Sequence, residues 1–427
     1  MIATALVILL VLMALAIPVA ASLGVLALSL EAIFSQLPLS RAMGEVAWSA
    51  SNEFLLVSVP LFILLGEILL RSGFAERMYG ALIKWVSWLP GGLMHSNIAA
   101  CGLFAATSGS SVATAATVGT VALPQARRFG YNERLFLGTL AAGGTLGILI
   151  PPSINMIVYA VLTNTSVPKL YLAGIVPGVV LVMLFMLTVI ILCLFKPAWG
   201  GQKFSATWTE RIASLPHLVP PLGIFLVVVG SIYGGVATPT EAASLGVVAA
   251  LGLAWWAGRL SLSMLKEAIE GTMRSTAMVM LIVLAAYFLN FIISAIGLTT
   301  QLTAFIETLG LSPMRMLLVV IVFYVVLGCF METLSMMITT IPIIAPVMFK
   351  LGFDPVWFGI VIIVLIETAL VTPPVGLNLF VVQNLRKSGS LNDVIIGALP
   401  FVLALFAMLG LLAAYPGLAL WLPRIVG

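Results

Sequence analysis

Two carboxylates interrupt long apolar stretches of this chain and are the side chains best placed to do chemistry. Glu332 is the sole charged residue of 316–349, and Glu367 is the sole charged residue of 355–385. A charge at membrane depth costs a few kcal/mol on insertion scales, so such residues point to function. We expect them to hold cations or to set the charge of a cavity. A protonated or paired structural glutamate is the alternative.

Hydroxyl groups and glycine concentrate in a second place, Thr107–Thr114, which reads Thr-Ser-Gly-Ser-Ser-Val-Ala-Thr. Small residues let helices approach closely, so tight packing is one interpretation. The other is a binding site in which serine hydroxyls and freed backbone carbonyls coordinate Na⁺, because oxygen ligands suit hard cations. Helix N-termini at the same place would favour a substrate carboxylate.

Two Pro-Pro pairs break apolar segments in mid-course, at Pro151–Pro152 and Pro373–Pro374. Consecutive prolines remove backbone donors and interrupt a helix. Each pair is followed by an asparagine, Asn155 or Asn378. A plain kink needs only one proline, so a pair with polar neighbours favours an unwound binding site over a kink.

Composition places the chain in a membrane. Hydrophobic residues make up 62% of its 427 positions and charged residues 8%, whereas a soluble domain carries about a quarter charged residues. Apolar runs recur at about the twenty-residue length that crosses a bilayer, as in Phe54–Leu70, Leu170–Phe195 and Thr276–Ile296. The pattern predicts an all-α polytopic membrane protein. We expect Ile2–Leu28 to be a retained span, because it is too long for a signal peptide's apolar region.

One register of self-similarity runs along most of the chain. Ala20–Val25 recurs as Ala242–Val247, 222 positions later, and the same shift maps Pro151–Pro152 onto Pro373–Pro374. After the prolines the shift becomes 223. A constant register indicates two copies of one structural unit. In a very apolar chain, paired copies are typical of a transporter whose site lies where they meet.

The basic loops orient the two copies in opposite senses. Loops rich in Lys and Arg stay cytoplasmic, which places Gln125–Arg134, Lys196–His217 and Arg259–Arg274 inside, together with the N-terminus. Gly92–Pro124 then starts and ends inside, so it is predicted to be a re-entrant hairpin with a polar tip at depth. The extra span Leu218–Tyr233 turns the second copy over. We therefore expect inverted repeats, which suit alternating access.

Each predicted copy contains a re-entrant hairpin and a Pro-Pro-broken helix, and an interfacial amphipathic arm precedes each hairpin. The expected ranges are 1–195 for the first repeat (hairpin 92–124, broken helix 135–162), 196–235 for a cytoplasmic linker and connecting span, 236–427 for the second repeat (hairpin 314–349, broken helix 357–385), and Phe74–Trp88 and Leu298–Leu309 for the arms.

Missing motifs exclude several function classes. The chain has no GxxxxGK[ST] phosphate loop, which argues against direct ATP hydrolysis. Its two histidines and three scattered cysteines show no metal-ligand spacing. The sequence contains no pair of a nucleophile and a general base that would indicate an enzyme. A channel is a rival, but no ring of like charge or repeated carbonyl filter is visible, and the paired broken helices favour alternating access.

At these residues the chain resembles the large membrane (M) subunit of tripartite ATP-independent periplasmic (TRAP) transporters, within the ion-transporter superfamily of hairpin elevators. The resemblance extends over essentially the whole chain. Its matching stretches are Gly109–Pro124, Gly147–Tyr159, Leu170–Gly178, Pro342–Gly359 and Thr372–Leu377.

This resemblance implies Na⁺-coupled secondary active uptake, by an elevator mechanism, of sialic acid, a C4-dicarboxylate or a similar carboxylate. It implies a periplasmic substrate-binding protein (P) that delivers the acid and a separate small four-helix membrane subunit (Q). It further implies a multi-pass protein of the bacterial inner membrane with two or more Na⁺ sites and no organic cofactor. The excess of four positive charges reflects the basic loops of a membrane protein, so no nucleic-acid partner is expected. The alternative is a stand-alone carboxylate transporter of the same superfamily, coupled to Na⁺ or H⁺.

The resemblance also places a Na⁺ site between each hairpin tip and the broken helix that follows it. The Na⁺-binding residues it implies are Ser108, Ser110, Ser111, Gly144, Thr145, Pro151, Asn155, Glu332, Thr333, Ser335, Glu367, Thr368, Thr372, Pro374 and Asn378. The candidate substrate-binding residues are Ser110, Thr114, Ser153, Ser335, Gly376 and Arg274, of which Arg274 has an interfacial anchor as its alternative role.

Family members often carry an aspartate after the methionine of the second tip, where this chain has Glu332. In the repeat register, Ser110 aligns with Glu332 and Thr145 with Glu367. Both carboxylates therefore belong to the second copy. We expect two cation sites that are related by fold but unequal in charge.

Overall fold

The computed structural model describes residues 1–15, 17–202, 205–298, 300–301, 304, 308, 310–328, 331–373, 376–386 and 388–426, and these residues form helices and connecting turns without a strand. The α-helices in chain order are α1 Ile2–Ala14, α2 Val19–Phe34, α3 Met43–Ser51, α4 Ser58–Arg71, α5 Phe74–Val86, α6 Leu93–Ser108, α7 Ser111–Arg128, α8 Glu133–Leu149, α9 Ile154–Thr163, α10 Val167–Phe195, α11 Trp208–Ser214, α12 Val219–Tyr233, α13 Pro239–Trp256, α14 Leu262–Ala295, α15 Pro313–Leu327, α16 Thr333–Lys350, α17 Pro355–Val371, α18 Leu377–Arg386, α19 Leu391–Ala414 and α20 Gly417–Val426.

Several helices have the length and apolarity of membrane spans. In the described part of the chain, five helices are long and apolar enough to cross a bilayer, or up to seven if each of two bent helix pairs is one span. One bent pair is α8 with α9, which meet at 43° across the first Pro-Pro pair. An all-helical protein with many apolar helices agrees with the predicted fold class.

The helix boundaries repeat with the shift found in the sequence. Helix α8 covers Glu133–Leu149 and α17 covers Pro355–Val371, which is 222 positions later at both ends. Past the prolines, α9 covers Ile154–Thr163 and α18 covers Leu377–Arg386, which is 223 positions later at both ends. The two copies therefore interrupt their broken helices at the same place.

The two broken helices lie at the centre of the molecule. Every residue of Leu135–Leu149 in α8 and of Trp357–Val371 in α17 is buried. A helix that is apolar on all sides needs packing partners on all sides. Helix α8 packs against both arms of the first hairpin and against α19, whereas α17 packs against both arms of the second hairpin, α10 and α19.

The half-helix that follows each break packs against the hairpin of the other copy. Helix α18 of the second copy packs along α7, the outgoing arm of the first hairpin. Helix α9 of the first copy packs along α16, the outgoing arm of the second hairpin. Each hairpin is therefore supported by the other copy.

The N-terminal apolar run is interrupted, which corrects the prediction of one span over Ile2–Leu28. Helix α1 ends at Ala14 and α2 begins at Val19 after the N-cap residue Pro18. Proline is favoured at a helix start, where its missing N–H leaves no helical hydrogen bond unmade. The 13 residues of α1 extend about 20 Å at 1.5 Å per residue, which is shorter than the hydrocarbon core of a bilayer.

The predicted inner basic stretch Arg259–Arg274 is mostly helical, since α14 begins at Leu262 and continues for 34 residues into the apolar span. The first arm is α5, whose buried face includes Met78, Tyr79 and Leu82. The second expected arm, 298–309, lies largely outside the described residues.

Candidate cation and substrate site

The first hairpin turns at Gly109, whose φ of 60° lies in the left-handed region that glycine favours. Ser110 caps α7, and its Oγ accepts a hydrogen bond from the Ala113 N–H at 3.4 Å. Thr114 Oγ1 donates to the Ser110 carbonyl at 2.7 Å and lies 2.8 Å from Ser108 Oγ. The tip is thus a compact loop in which hydroxyl oxygens and one carbonyl converge.

This tip lies directly on the first helix break. A Cβ atom on Gly147 of α8 would lie 2.5 Å from the Ser110 carbonyl oxygen and 2.8 Å from the Ser111 nitrogen. A Cβ atom on Gly109 would lie 3.0 Å from the Pro152 carbonyl oxygen. Only glycine permits such backbone-to-backbone contact. The structure therefore brings the tip and the first Pro-Pro pair together, as the sequence analysis expects.

The break itself spans Ile150–Ser153, including the predicted site residue Pro151. Ser153 caps α9, and its Oγ accepts from the Met156 N–H at 3.4 Å and donates to the Ile148 carbonyl at 2.6 Å. Thr145 Oγ1 donates to the carbonyl of Ala142 at 2.8 Å. Since a hydroxyl that has donated its proton keeps lone pairs, the oxygens of Thr145 and Ser153 can still coordinate a cation.

Glu332 acts as a helix cap at the second tip. Its carboxylate accepts hydrogen bonds from the Ser335 N–H and Oγ, both at 3.1 Å, and from Thr333 Oγ1 at 2.9 Å. A carboxylate at a helix N-terminus satisfies free amides and interacts well with the helix dipole. These partners all lie in the first turn of α16, so Glu332 has a structural role as a helix cap, in line with the structural glutamate kept as the alternative to a cation ligand.

Glu367 differs sharply, because it is fully buried in α17 and neither carboxylate oxygen has a hydrogen-bond partner in the described chain. The backbone of Leu149, the last residue of α8, faces this carboxylate without the geometry of a hydrogen bond. A buried charge without a partner is costly. The end of α8 beside Glu367 is therefore a place where a cation or a proton would be stabilising.

Asn378 reaches from the second copy into the first. Its Nδ2 donates to the Ala141 carbonyl at 3.1 Å, and a Cβ atom on Gly144 would lie 3.1 Å from the same nitrogen. The family resemblance groups Asn378 with the second tip, whereas its described hydrogen bond is made to α8. The Oδ1 atom of Asn378 and the Nδ2 atom of Asn155 are buried without partners, so each can meet a ligand.

The other predicted residues of the second break form a local chain of hydrogen bonds. Thr368 Oγ1 donates to the Val364 carbonyl at 2.8 Å, and Thr372 Oγ1 donates to the Thr368 carbonyl at 2.6 Å. The Gly376 N–H donates to the Thr372 carbonyl at 3.2 Å. Pro374 lies outside the described residues.

Arg274 does not join this cluster. Its side chain is exposed on α14, near the end of the basic stretch. None of the described hydrogen bonds or ion pairs connects it with the tips or the breaks. This position fits the interfacial anchor that the sequence analysis keeps as the alternative to a substrate ligand.

Sequence reasoning missed two polar residues of the first hairpin. The Thr117 hydroxyl is buried without a partner, about one turn after Thr114 on α7; the i,i+3 spacing of the two threonines was the available signal. Asn97 accepts from the Tyr79 hydroxyl at 2.7 Å and donates to Thr139 Oγ1 at 2.9 Å. Asn97, which lies on the hairpin helix α6, therefore connects the arm helix α5 to α8. No local sequence pattern predicts this connection.

Comparison with known proteins gives a consistent result. The family profile described as "Tripartite ATP-independent periplasmic transporter, DctM component" matches residues 6–418. The chain is 35% identical over 388 residues to the C4-dicarboxylate TRAP transporter large permease protein DctM of Pseudomonas aeruginosa, covering 91% of this chain and 90% of that protein. It is 30% identical over 409 residues to the sialic acid TRAP transporter large permease protein SiaM of Vibrio cholerae, covering 96% and 95% of the two chains.

Two further comparisons show how widely the resemblance extends. The ectoine TRAP transporter large permease protein TeaC of Halomonas elongata is 32% identical over 371 residues, which is 86% of each chain. The solved structure of the YdaH transporter of Alcanivorax borkumensis is similar with a TM-score of 0.67 and 16% identity, covering 96% of this chain and 98% of that one. At this identity the structural likeness concerns the fold alone.

Proposed function

Because the chain belongs to the TRAP transporter large permease family, we propose that it imports a small organic acid by Na⁺-coupled secondary active transport. Members of this family are membrane transport proteins and not enzymes. Relatives are named for C4-dicarboxylates and for sialic acid. The substrate that we propose is a carboxylate in the size range of these acids. An elevator motion of the hairpins and broken helices would carry it across the membrane.

The unpartnered carboxylate of Glu367 is the observation that carries the proposal. In a low-dielectric interior an unpaired charge is unfavourable, and a cation beside it regains that energy through a strong Coulomb attraction. A Na⁺ ion at the end of α8 would face Glu367 and the carbonyls freed by the break at Pro151. The loaded site would then cross the membrane more easily than the empty one, which couples ion and substrate movement.

A second ion would lie at the first tip. There the candidate ligands are the oxygens of Ser108, Ser110 and Thr114, with Asn378 Oδ1 approaching from the other copy. Oxygen donors of this kind suit a hard cation. This site has no carboxylate, so the two ions would meet unequal charge, as the repeat register predicts.

The substrate carboxylate would lie at the N-terminal ends of the half-helices. Ser153 caps α9 and Gly376 precedes α18, and free backbone amides at such ends favour anions. The buried Nδ2 of Asn155 supplies a donor without a partner. We place the substrate here, between ions that offset its charge.

Two partners complete the proposal. A periplasmic binding protein would deliver the acid, and a small four-helix membrane subunit would assemble with this chain in the bacterial inner membrane. The support is the tripartite description of the family. Selectivity among organic acids would then rest mainly with the binding protein.

Reconstitution in liposomes tests the function. The chain, its small subunit and its binding protein are combined, and uptake of labelled succinate or sialic acid is measured with and without an inward Na⁺ gradient. We expect uptake that requires both the gradient and the binding protein. Uptake without any cation gradient would contradict secondary transport. Uptake without the binding protein would favour the stand-alone alternative, and a proton gradient in Na⁺-free buffer would then identify its coupling ion.

Matched glutamate variants test the cation site. Glu367→Gln keeps the shape of the side chain and removes its charge, so we expect a loss of Na⁺-dependent uptake. Glu241→Gln is the control, because Glu241 is an exposed cap of α13. If Glu332→Gln and Glu367→Gln both leave uptake and its Na⁺ dependence unchanged, the carboxylates do not serve the ions.

A further inference from the structure

We propose that the hydroxyl of Tyr171 is a further substrate-binding group, which donates a hydrogen bond to a carboxylate oxygen of the substrate at the start of α9. The proposal rests on the transport function proposed above. It goes further by naming a residue of α10 and by assigning the substrate and the cation to opposite ends of the first break. The sequence around Tyr171 is apolar and by itself indicates only packing.

The hydroxyl of Tyr171 is buried without a use inside the protein. The residue is fully buried on α10, and its hydroxyl has no hydrogen-bond partner in the described chain. It faces the backbone amide of Ser153 without the geometry of a hydrogen bond. A phenylalanine would fill the same space without burying a polar group, and a buried hydroxyl without a partner is unfavourable. A ligand that accepts its hydrogen bond would remove this cost.

Helix packing brings Tyr171 to the break. A Cβ atom on Gly174, one turn further along α10, would lie 2.7 Å from the Leu149 carbonyl oxygen and 2.6 Å from the side chain of Met156. Helix α10 therefore contacts both the last residue of α8 and the first turn of α9. Because Tyr171 lies within one turn of this contact, its buried ring is held at the start of α9.

The unpartnered side-chain atoms at the two ends of the break differ in chemical type. Beside the end of α8 lie the two oxygens of Glu367, which are acceptors and which the proposed Na⁺ would face. At the start of α9 lie the hydroxyl of Tyr171 and the Nδ2 atom of Asn155, which can both donate. The backbone adds donors at the same place, because the first amides of a helix have no acceptor within it.

This arrangement selects an anionic oxygen over a cation at the start of α9. The group that faces the phenol oxygen of Tyr171 is itself a donor, the N–H of Ser153, so the hydroxyl proton remains to be donated. A Na⁺ ion there would meet N–H groups and the positive end of the helix dipole. A carboxylate would instead accept from these donors, and the Na⁺ at the end of α8 would partly neutralise its charge.

The first hairpin tip covers the start of α9. A Cβ atom on Gly109 would lie 3.0 Å from the Pro152 carbonyl oxygen and 3.6 Å from the Ile154 nitrogen. In this arrangement Tyr171 is 0% and Asn155 2% exposed. A substrate would therefore reach their donors after the tip moves away from the break. The returning tip would then shield the bound carboxylate from water, which strengthens its electrostatic interactions.

Thermal melting of Tyr171→Phe tests the proposal, because this variant removes the hydroxyl and keeps the ring. The chain is purified with its small subunit and titrated with succinate or sialic acid in Na⁺ buffer. An acid that binds the folded protein raises its melting temperature. We expect the variant to need about tenfold more acid or more than wild type for the same rise, since a hydrogen bond to a charged group is lost. The rise produced by Na⁺ alone should be the same for both proteins.

Melting without any acid separates binding from a structural role. Tyr171→Phe removes no hydrogen bond of the protein, so its melting temperature should not fall. Tyr131→Phe is the matched control, because Tyr131 is buried between α7 and α8 and its hydroxyl accepts from the Leu93 N–H at 2.9 Å. This control should melt at a lower temperature and keep the acid titration of wild type.

Three results would overturn the role of Tyr171. They are equal acid titrations for Tyr171→Phe and wild type, a lower melting temperature of Tyr171→Phe without acid, and a wild-type protein that neither acid stabilises. The liposome experiment tests the transport function separately. If it shows no Na⁺-driven uptake, coupled transport fails as a proposal, whereas the melting titrations still decide whether Tyr171 binds the acid.

Discussion

The side-chain amide of Asn378 donates a hydrogen bond to the backbone carbonyl of Ala141 at 3.1 Å. This bond ties the half-helix of the second copy to the intact part of α8 in the first copy. The amide oxygen of Asn378 remains buried without a partner. One side chain therefore joins the two copies and also presents a free ligand atom next to Gly144 of α8.

Replacing Asn378 should separate these two roles. For Asn378→Ala we expect a small loss of stability, because a side-chain hydrogen bond within a membrane contributes about 0.6 kcal/mol and rarely more than about 1.7 kcal/mol. We expect a larger effect on function, seen as a several-fold rise in the Na⁺ concentration for half-maximal uptake. Asn384→Ala is the control on the same helix, since Asn384 is exposed. An unchanged Na⁺ dependence of uptake would mean that Asn378 only joins the two copies and does not bind the ion.

The hydroxyl of Thr114 gives a second prediction. Thr114→Val removes the oxygen that contacts Ser108 and the Ser110 carbonyl but keeps the volume of the side chain. Uptake should fall and require more Na⁺. Thr120→Val is the matched control, because the Thr120 hydroxyl is exposed on the same helix and, among the described residues, bonds only the Ala116 carbonyl at 2.8 Å. Equal Na⁺ titrations for the two variants would contradict a cation site at the first tip.

The sequence predicts the tips and the breaks well because their causes are local. A proline pair in the middle of an apolar segment removes two backbone donors and interrupts the helix, and Gly109 permits the turn between α6 and α7. The boundaries of α8 and α17 consequently fall within two residues of the predicted breaks and repeat with the predicted shift. Such features need no knowledge of the rest of the fold.

The packing of each half-helix against the hairpin of the other copy could not be predicted, because it depends on contacts between distant parts of the chain. Helices α8 and α17 are apolar on all faces, so their sequences give no direction for their neighbours. Asn378 was therefore grouped with its own copy. The helix-cap position of Glu332 could not be predicted for a related reason. The apolar segment around Glu332 predicts a charge at membrane depth, whereas its hydrogen-bond partners depend on the residue at which α16 begins.

The ion pairs at one end of α8 provide a third prediction. Arg386 donates to Glu133 at 2.8 Å and to Asp393 at 3.1 Å with 8% of its side chain exposed, whereas Arg134 donates to Asp393 at 2.8 Å with 57% exposed. Exposed pairs contribute about 1 kcal/mol or less. Arg386→Gln should lower the melting temperature in detergent clearly more than Arg134→Gln does.

Salt dependence checks the same argument. The pair of the exposed Arg134 should weaken as ionic strength rises, and that of Arg386 should weaken less. The stability difference between the two variants should therefore persist in high salt. Equal melting shifts for both arginines would mean that burial does not distinguish the two pairs.

The crossing of α8 and α19 gives the last prediction, because the two backbones touch there. A Cβ atom on Gly397 would collide with the Arg134 carbonyl oxygen, and one on Gly138 would collide with the Gly397 carbonyl oxygen. Neither obstacle is a flexible side chain that can move aside. Overpacking costs about 1–3 kcal/mol even where side chains can adjust, so Gly397→Ala should cost at least that much and lower the yield of folded protein.

Gly410 supplies the control on the same helix, because nothing lies within 4 Å of a Cβ atom placed there. Gly410→Ala should be neutral or slightly stabilising, since alanine favours a helix over glycine by up to about 1 kcal/mol. Thermal melting of the purified proteins in one detergent compares them directly. Similar melting temperatures for Gly397→Ala and Gly410→Ala would show that α8 and α19 do not approach as closely as the structure places them.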